Sequence, residues 1–204
     1  KHWGAIGNGL ASTNVMSYGE FPEIANDQSN KPLLMPRGAI LGGDLKNIHA
    51  VDLKDPAMIQ EFVTHSWYKY ADESKGLHPF DGVTDPNFVL GKGTKGSKTD
   101  IQEIDESAKY SWVKSPRYKG QPVEVGPLAR YIVGYAMGNP EFKEPVDMVL
   151  KKLDVPLTAL FSTLGRTAAR GLEASWSAHK MKYFYGKLMA NIKAGKLDTA
   201  NVEK

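Results

Sequence analysis

The sequence changes character at Gly126-Pro127, and that boundary limits what the chain can fold into. Ahead of it, Gly, Pro, Asn and Asp recur too often for many long regular elements. Behind it, apolar residues recur at helical spacing between well-placed stops. A chain divided this way is expected to be α+β and helix-dominated. Residues 1–125 should form a loop-and-short-strand layer with one helix over about 56–74. Residues 126–204 should form part of a long-helix bundle.

No covalent cross-link supports this arrangement. The 204 residues include no cysteine, which excludes disulfides and thiolate metal ligands within the chain. A content of 41% apolar and 24% charged residues is that of an ordinary globular protein long enough to bury a core. The net charge of +3 is too small, and the lysines too scattered, to argue for nucleic acid. Lysine is locally denser at Lys92–Lys98 and Lys180–Lys196, and Lys151 and Lys152 on a helix face read as solvated surface. No apolar run reaches the ~18–20 residues that cross a bilayer, and no secretory signal is present. Ends at Lys1-His-Trp-Gly and Val202-Glu-Lys suit an excised segment.

Within 1–48, short strands are expected, for example around Ala39-Ile-Leu41. Asp55 and Pro56 form a good helix start. Ile59, Phe62, Val63, Trp67 and Tyr70 then recur at spacings of a helical stripe, with Gly76 as the stop. Asn87–Leu90 and Tyr110–Val113 read as strands, and Asp100–Glu106 as an acidic turn. Pro127 opens a helix whose stripe is Leu128, Tyr131, Ile132 and Tyr135, stopped by Gly138-Asn-Pro140. A second helix is expected over about 141–153. A long helical region should follow over about 157–194, bent near Gly165 or Gly171, with Gly195 as its stop.

Few motifs carry chemistry. Gly91-x-Gly-x-x-Gly96 matches a dinucleotide-binding spacing, but Ser97-Lys-Thr-Asp opens no apolar helix, so a surface loop is the reading. Gly4-Ala-Ile-Gly-Asn-Gly9 lacks a phosphate-binding lysine. His2, His49, His65, His78 and His179 contain no i, i+4 pair for a metal. His65 is expected on the first helix, next to its apolar stripe, in a hydrogen-bonded packing role, and His78, before Pro79, in a turn. Asp72-Glu73 and Asp105-Glu106 are neighbours that diverge, unlike an acid/base pair. The sharpest cluster is Lys114, Arg117, Glu124 and Arg130. Either Arg130 ties a loop to a helix start through two-point hydrogen bonds, or these charges form a subunit contact.

Several long strings resemble one family. They are Glu61–Ser74, Leu77–Thr84, Tyr110–Gly120 and Val123–Arg130, with likeness extending from Gly7–Asn14 to Ala190–Gly195 and Thr199–Val202. They resemble the middle of the large subunit of nickel-iron hydrogenases, nearest to the membrane-bound uptake type. The resemblance implies a parent that oxidises H₂ reversibly. Its large subunit holds nickel and an Fe(CN)₂CO unit through two Cys-x-x-Cys pairs. Its small-subunit partner carries iron–sulfur clusters, and the complex sits at the periplasmic face of the bacterial inner membrane. Neither the Arg-x-Cys-Gly-x-Cys motif nor the Asp-Pro-Cys-x-x-Cys-x-x-His motif is present here, so no catalytic, cofactor or metal residue carries over. The chain is expected to be scaffold, inactive alone, with no cofactor of its own. Its expected partners are the small subunit and the remainder of the large subunit. The alternatives are a non-catalytic structural or interaction domain derived from the same fold, and an unrelated binding module. Isolated, the chain is expected to self-associate through Tyr131, Ile132, Tyr135, Leu160, Phe161, Leu164 and Leu172.

Overall fold

The structure, a computed structural model, describes residues 13–22, 33–90, 102–104 and 109–197. Seven strands and three helices lie among them. The strands are β1 (Val15–Pro22), β2 (Leu33–Ile40), β3 (Ile59–Phe62), β4 (Phe88–Leu90), β5 (Gln102–Ile104), β6 (Ser115–Tyr118) and β7 (Gln121–Pro122). The helices are α1 (Pro127–Ala136), α2 (Pro140–Leu153) and α3 (Thr163–Lys193), with a 3-10 turn at Leu157–Leu160. Every strand pairing within the sheets is antiparallel: β1 with β2, β3 with β6 and then β7, and β4 with β5.

The β1–β2 pair is the centre of the molecule, because both of its faces are covered. Side chains alternate across a strand. Val15 and Ile40 therefore point to one side, where they meet Leu128, Ile132, Phe142 and Trp176 of the helices. Met16 and Ala39 point to the other, where they meet Val51, Ile59, Tyr118 and Val123. The helical core thus takes residues from both sides of Gly126.

Helix boundaries follow local chemistry. Gly126, at φ 106, turns the chain into Pro127, whose missing N–H is not needed at a first helical position. Asn139 caps α2 by accepting the Glu141 N–H at 3.0 Å. Ser162 caps α3 by accepting the Gly165 N–H at 3.1 Å. This cap splits the expected 157–194 helix into the 3-10 turn and α3. A Cβ on Gly165 would lie 2.2 Å from the Leu160 carbonyl oxygen, so the tight entry requires glycine.

Three expectations are corrected. The helix over 56–74 is absent. Asp55 does cap a turn, accepting the Ala57 N–H at 2.8 Å, but Ile59–Phe62 then pairs with Ser115–Tyr118. The apolar stripe coincided with a β-branched and aromatic run, and non-local pairing outweighed it. Gly76 stops no helix; a Cβ there would come within 2.4 Å of the Phe62 ring. Tyr110–Val113 makes only an isolated bridge, Ser66 to Ser111, and the regular strand is Ser115–Tyr118. In the acidic turn, Gln102–Ile104 is a strand, and the rest lies outside the described residues. So do both glycine-rich motifs, His2 and Asp105-Glu106.

The apolar residues proposed for self-association are also placed differently. Tyr131, Ile132 and Leu160 are buried, Tyr135, Phe161 and Leu172 are half-buried, and Leu164 is exposed. The first three pack with Val15, Met35 and Ile40, partners that helical periodicity alone does not reveal. Exposed apolar residues concentrate instead on the second half of α3, among them Met181, Tyr185, Leu188 and Ile192.

Candidate functional site

The four charged residues divide between two layers. Lys114 and Arg117 belong to the β3–β6 layer. Lys114 Nζ lies 3.4 Å from the Val83 carbonyl and 3.7 Å from the Glu61 carboxylate. It also sits 5.7 and 5.3 Å from the ring centres of Tyr68 and Tyr70, an arrangement in which aromatic faces favour the cation. The Arg117 guanidinium lies 5.2 Å from the Phe62 ring centre and donates to the Pro116 carbonyl at 3.0 Å. A cavity of about 330 Å³ opens beside them, lined also by His65, Ser111 and Ser115. Among the described residues no carboxylate lines it.

Glu124 and Arg130 both reach α3. The Glu124 backbone lies beside β1: its N–H donates to the Asn14 carbonyl at 2.8 Å, and its carbonyl accepts the Met16 N–H at 2.9 Å. Its carboxylate then accepts Arg166 Nε and Nη2, both at 2.7 Å. One turn into α1, Arg130 donates Nε and Nη2 to Glu173 at 2.7 and 2.6 Å, and Nη1 to Glu20 of β1 at 3.2 Å. Donating these hydrogen bonds to Glu173 raises the Arg130 pKa, against the opposing effect of burial. Arg166 is raised in the same way by Glu124. A guanidinium fork on a carboxylate fixes orientation as well as charge.

Further along the helix, Glu141 of α2 accepts Trp176 Nε1 at 2.9 Å and Lys180 Nζ at 2.7 Å. The partners Glu20, Glu141, Arg166 and Glu173 were not singled out from the sequence. The available signal was that Arg166, Glu173 and Lys180 stand seven residues apart, hence on one helix face. The arrangement is a set of internal braces that positions α3. It offers no activated nucleophile.

The histidines follow their surroundings. His65 is exposed and stacks on Tyr110 at 5.5 Å. His78 is buried in a turn, with Nε2 2.9 Å from the Leu53 carbonyl and Nδ1 accepting the Phe80 N–H at 3.2 Å. Those partners require the neutral tautomer protonated on Nε2. His49 lies against Tyr118, and His179 Nδ1 lies 2.7 Å from the Ser175 carbonyl. Among the described residues no three His, Cys, Asp or Glu side chains converge on a possible metal position. With no thiolate in the chain, these residues do not fit a nickel–iron centre. No helix among them is long and apolar enough to cross a membrane.

Comparison with known proteins extends over the whole chain. The family described as nickel-dependent hydrogenase matches residues 1–204. The uptake hydrogenase large subunit of Rhizobium leguminosarum bv. viciae is 59% identical over 204 residues, covering 100% of this chain and 34% of that protein. The hydrogenase-1 large chain of Escherichia coli K12 is 50% identical over 204 residues, with the same shares covered. Among solved structures, an H₂-activated NiFeSe hydrogenase of Dm. baculatum aligns with TM-score 0.60 at 28% identity, covering 100% of this chain and 35% of its own. The chain spans about a third of the length of the curated relatives it matches.

Proposed function

Because this chain belongs to the nickel-dependent hydrogenase family, we propose that it forms the middle of a hydrogenase large subunit and serves there as scaffold. The observation that carries this reading is the end-to-end match of a chain without cysteine to large subunits about three times as long. In this reading the parent oxidises H₂. The nickel, the Fe(CN)₂CO unit and their thiolate ligands come from elsewhere in the large subunit. A small subunit with iron–sulfur clusters takes the electrons. The uptake hydrogenases among the relatives support a site of action at the periplasmic face of the inner membrane.

The contribution of the chain is mechanical. Lys114, Arg117, Glu124 and Arg130 act as braces that hold strands and helices at fixed angles. The helices build a bundle only together with other parts of the subunit.

The test is to purify the full-length large subunit with its small subunit, and residues 1–204 alone, from cells that mature hydrogenases. We expect near-stoichiometric nickel and H₂-dependent dye reduction from the complex, and neither from residues 1–204. Specific nickel retained by the short chain, or a full complex without H₂ oxidation, overturns the reading.

A further inference from the structure

Residues 63–73 belong to no helix or strand, yet they are anchored at one point. The Val63 and Tyr68 carbonyl oxygens and the Glu73 carboxylate converge on a common position. Lys109 Nζ fills it, at 3.4, 3.1 and 2.8 Å. The Lys109 side chain is only 10% exposed. An ammonium group has three donors and no acceptor, so three oxygens satisfy it completely. Two carbonyl dipoles and a carboxylate gathered around one point repel one another unless a cation lies between them. The segment therefore keeps this shape only with positive charge at its centre.

The distances select the kind of cation. Magnesium and calcium bind oxygen at ~2.0–2.6 Å, closer than any of these three contacts. The separations from Glu73 and Tyr68 are those of N–H···O hydrogen bonds, with Val63 a longer third contact. One carboxylate balances one positive charge. The site is thus built for a monovalent ion that donates hydrogen bonds.

An aromatic surface depends on it. Trp67 N–H donates to the Ser111 carbonyl at 2.9 Å, and Tyr110 N–H to the His65 carbonyl at 3.2 Å. The Trp112 ring centre lies 5.1 Å from that of Trp67 and 5.4 Å from that of Tyr68. Lys109, next to Tyr110 in the chain, ties these two strips together.

We propose that the Val63 and Tyr68 carbonyls and the Glu73 carboxylate form a binding site for a primary ammonium ion. The protein fills this site with its own Lys109, and the filled site positions the aromatic residues at 65–68 and 110–112. With the tether cut, it takes free ammonium or methylammonium. This holds whatever reaction the parent catalyses.

The experiment uses the full-length large subunit assembled with its small subunit. Lys109→Ala removes the ammonium group and leaves room for a free one. Peptides covering residues 64–74 should then exchange their amide hydrogens about ten-fold faster or more, as charge-assisted hydrogen bonds are lost. Methylammonium chloride should return the rate towards that of the unsubstituted complex. Tetramethylammonium chloride at the same concentration carries the charge without an N–H and should leave the rate high. Lys109→Met keeps the space filled with an uncharged stem, so its exchange should be fast in both salts. Unchanged exchange in Lys109→Ala overturns the proposal. So does a failure of methylammonium to slow it, equal slowing by tetramethylammonium, or recovery of Lys109→Met. Acetylation of amines in the unsubstituted complex needs no variant. Lys109 should react about ten-fold slower or more than in urea, and equal rates overturn the proposal.

Discussion

Arg130 of α1 grips Glu173 of α3 with two hydrogen bonds, 2.7 and 2.6 Å long, although 43 residues separate them. Both side chains are 18% exposed, so the pair is shielded enough to contribute. Glu124 and Arg166 repeat the grip with the polarity reversed. The two ties together set the angle at which α3 leaves the β1–β2 pair.

Removing one partner should cost more than removing both. Arg130→Met leaves the shielded Glu173 carboxylate without its partner and should destabilise by about 1–3 kcal/mol. Arg130→Lys keeps the charge, loses the fork, and should recover only part of that. A urea-unfolding cycle with Arg130→Met, Glu173→Met and the double variant checks this. Additive effects would show that the pair is not coupled.

Two helical glycines should respond in opposite directions to alanine. At Gly134 a Cβ would lie 2.5 Å from the Phe142 ring. Forcing α1 and α2 apart should cost about 1–3 kcal/mol, more than the ~1 kcal/mol gained in helix propensity. At Gly171 nothing lies within 4 Å of the added Cβ. In residues 1–204 alone, Gly171→Ala should therefore stabilise by about 0.5–1 kcal/mol. Thermal unfolding of both variants decides the sign.

Alkaline pH should unfold the chain through its tyrosines. Burial pushes Tyr131 up to about 12, with the carboxylates of Glu173 and Glu141 adding to the effect. Burial and then Glu61 push Tyr18 up to about 12. A folded pKa above the unfolded value means that the stabilisation is complete below pH 10. It is lost as pH rises from about 10 towards 12, because the unfolded chain gives up these protons first. Stability measured by denaturant should stay level through neutral pH in this respect and fall across that window. Tyr131→Phe should make the fall shallower, and an unchanged slope would exclude Tyr131 as a cause.

Hydrogen exchange should divide α3. Residues 163–180 are held by Ala169, Trp176 and the ion pairs. Residues 181–193 project for ~20 Å with nearly every position exposed. In residues 1–204 alone, amides of α1 and of the first part of α3 should exchange slowly, and those after Lys180 much faster. Uniform protection to Lys193 would mean that the second half has found a partner, and sedimentation would then show a dimer or larger species.

Much of the second half of the chain was legible because its signals are local. Pro127, Asn139-Pro140 and Gly195 mark helix ends by their own backbone chemistry. Leu128, Ile132, Phe142 and Val146 mark buried faces by period alone. The absence of cysteine likewise settled, without any fold, that no thiolate site exists in this chain. The first half was less legible because its elements depend on distant partners. Ile59–Phe62 is a strand only because Ser115–Tyr118 lies beside it, and Gly76 is glycine because the Phe62 ring crosses it. For the site, the sequence picked out Glu124 and Arg130 but not Arg166, Glu173 or Glu20. An ion pair is a meeting of two positions in space, and only tertiary packing decided which carboxylate each guanidinium would find.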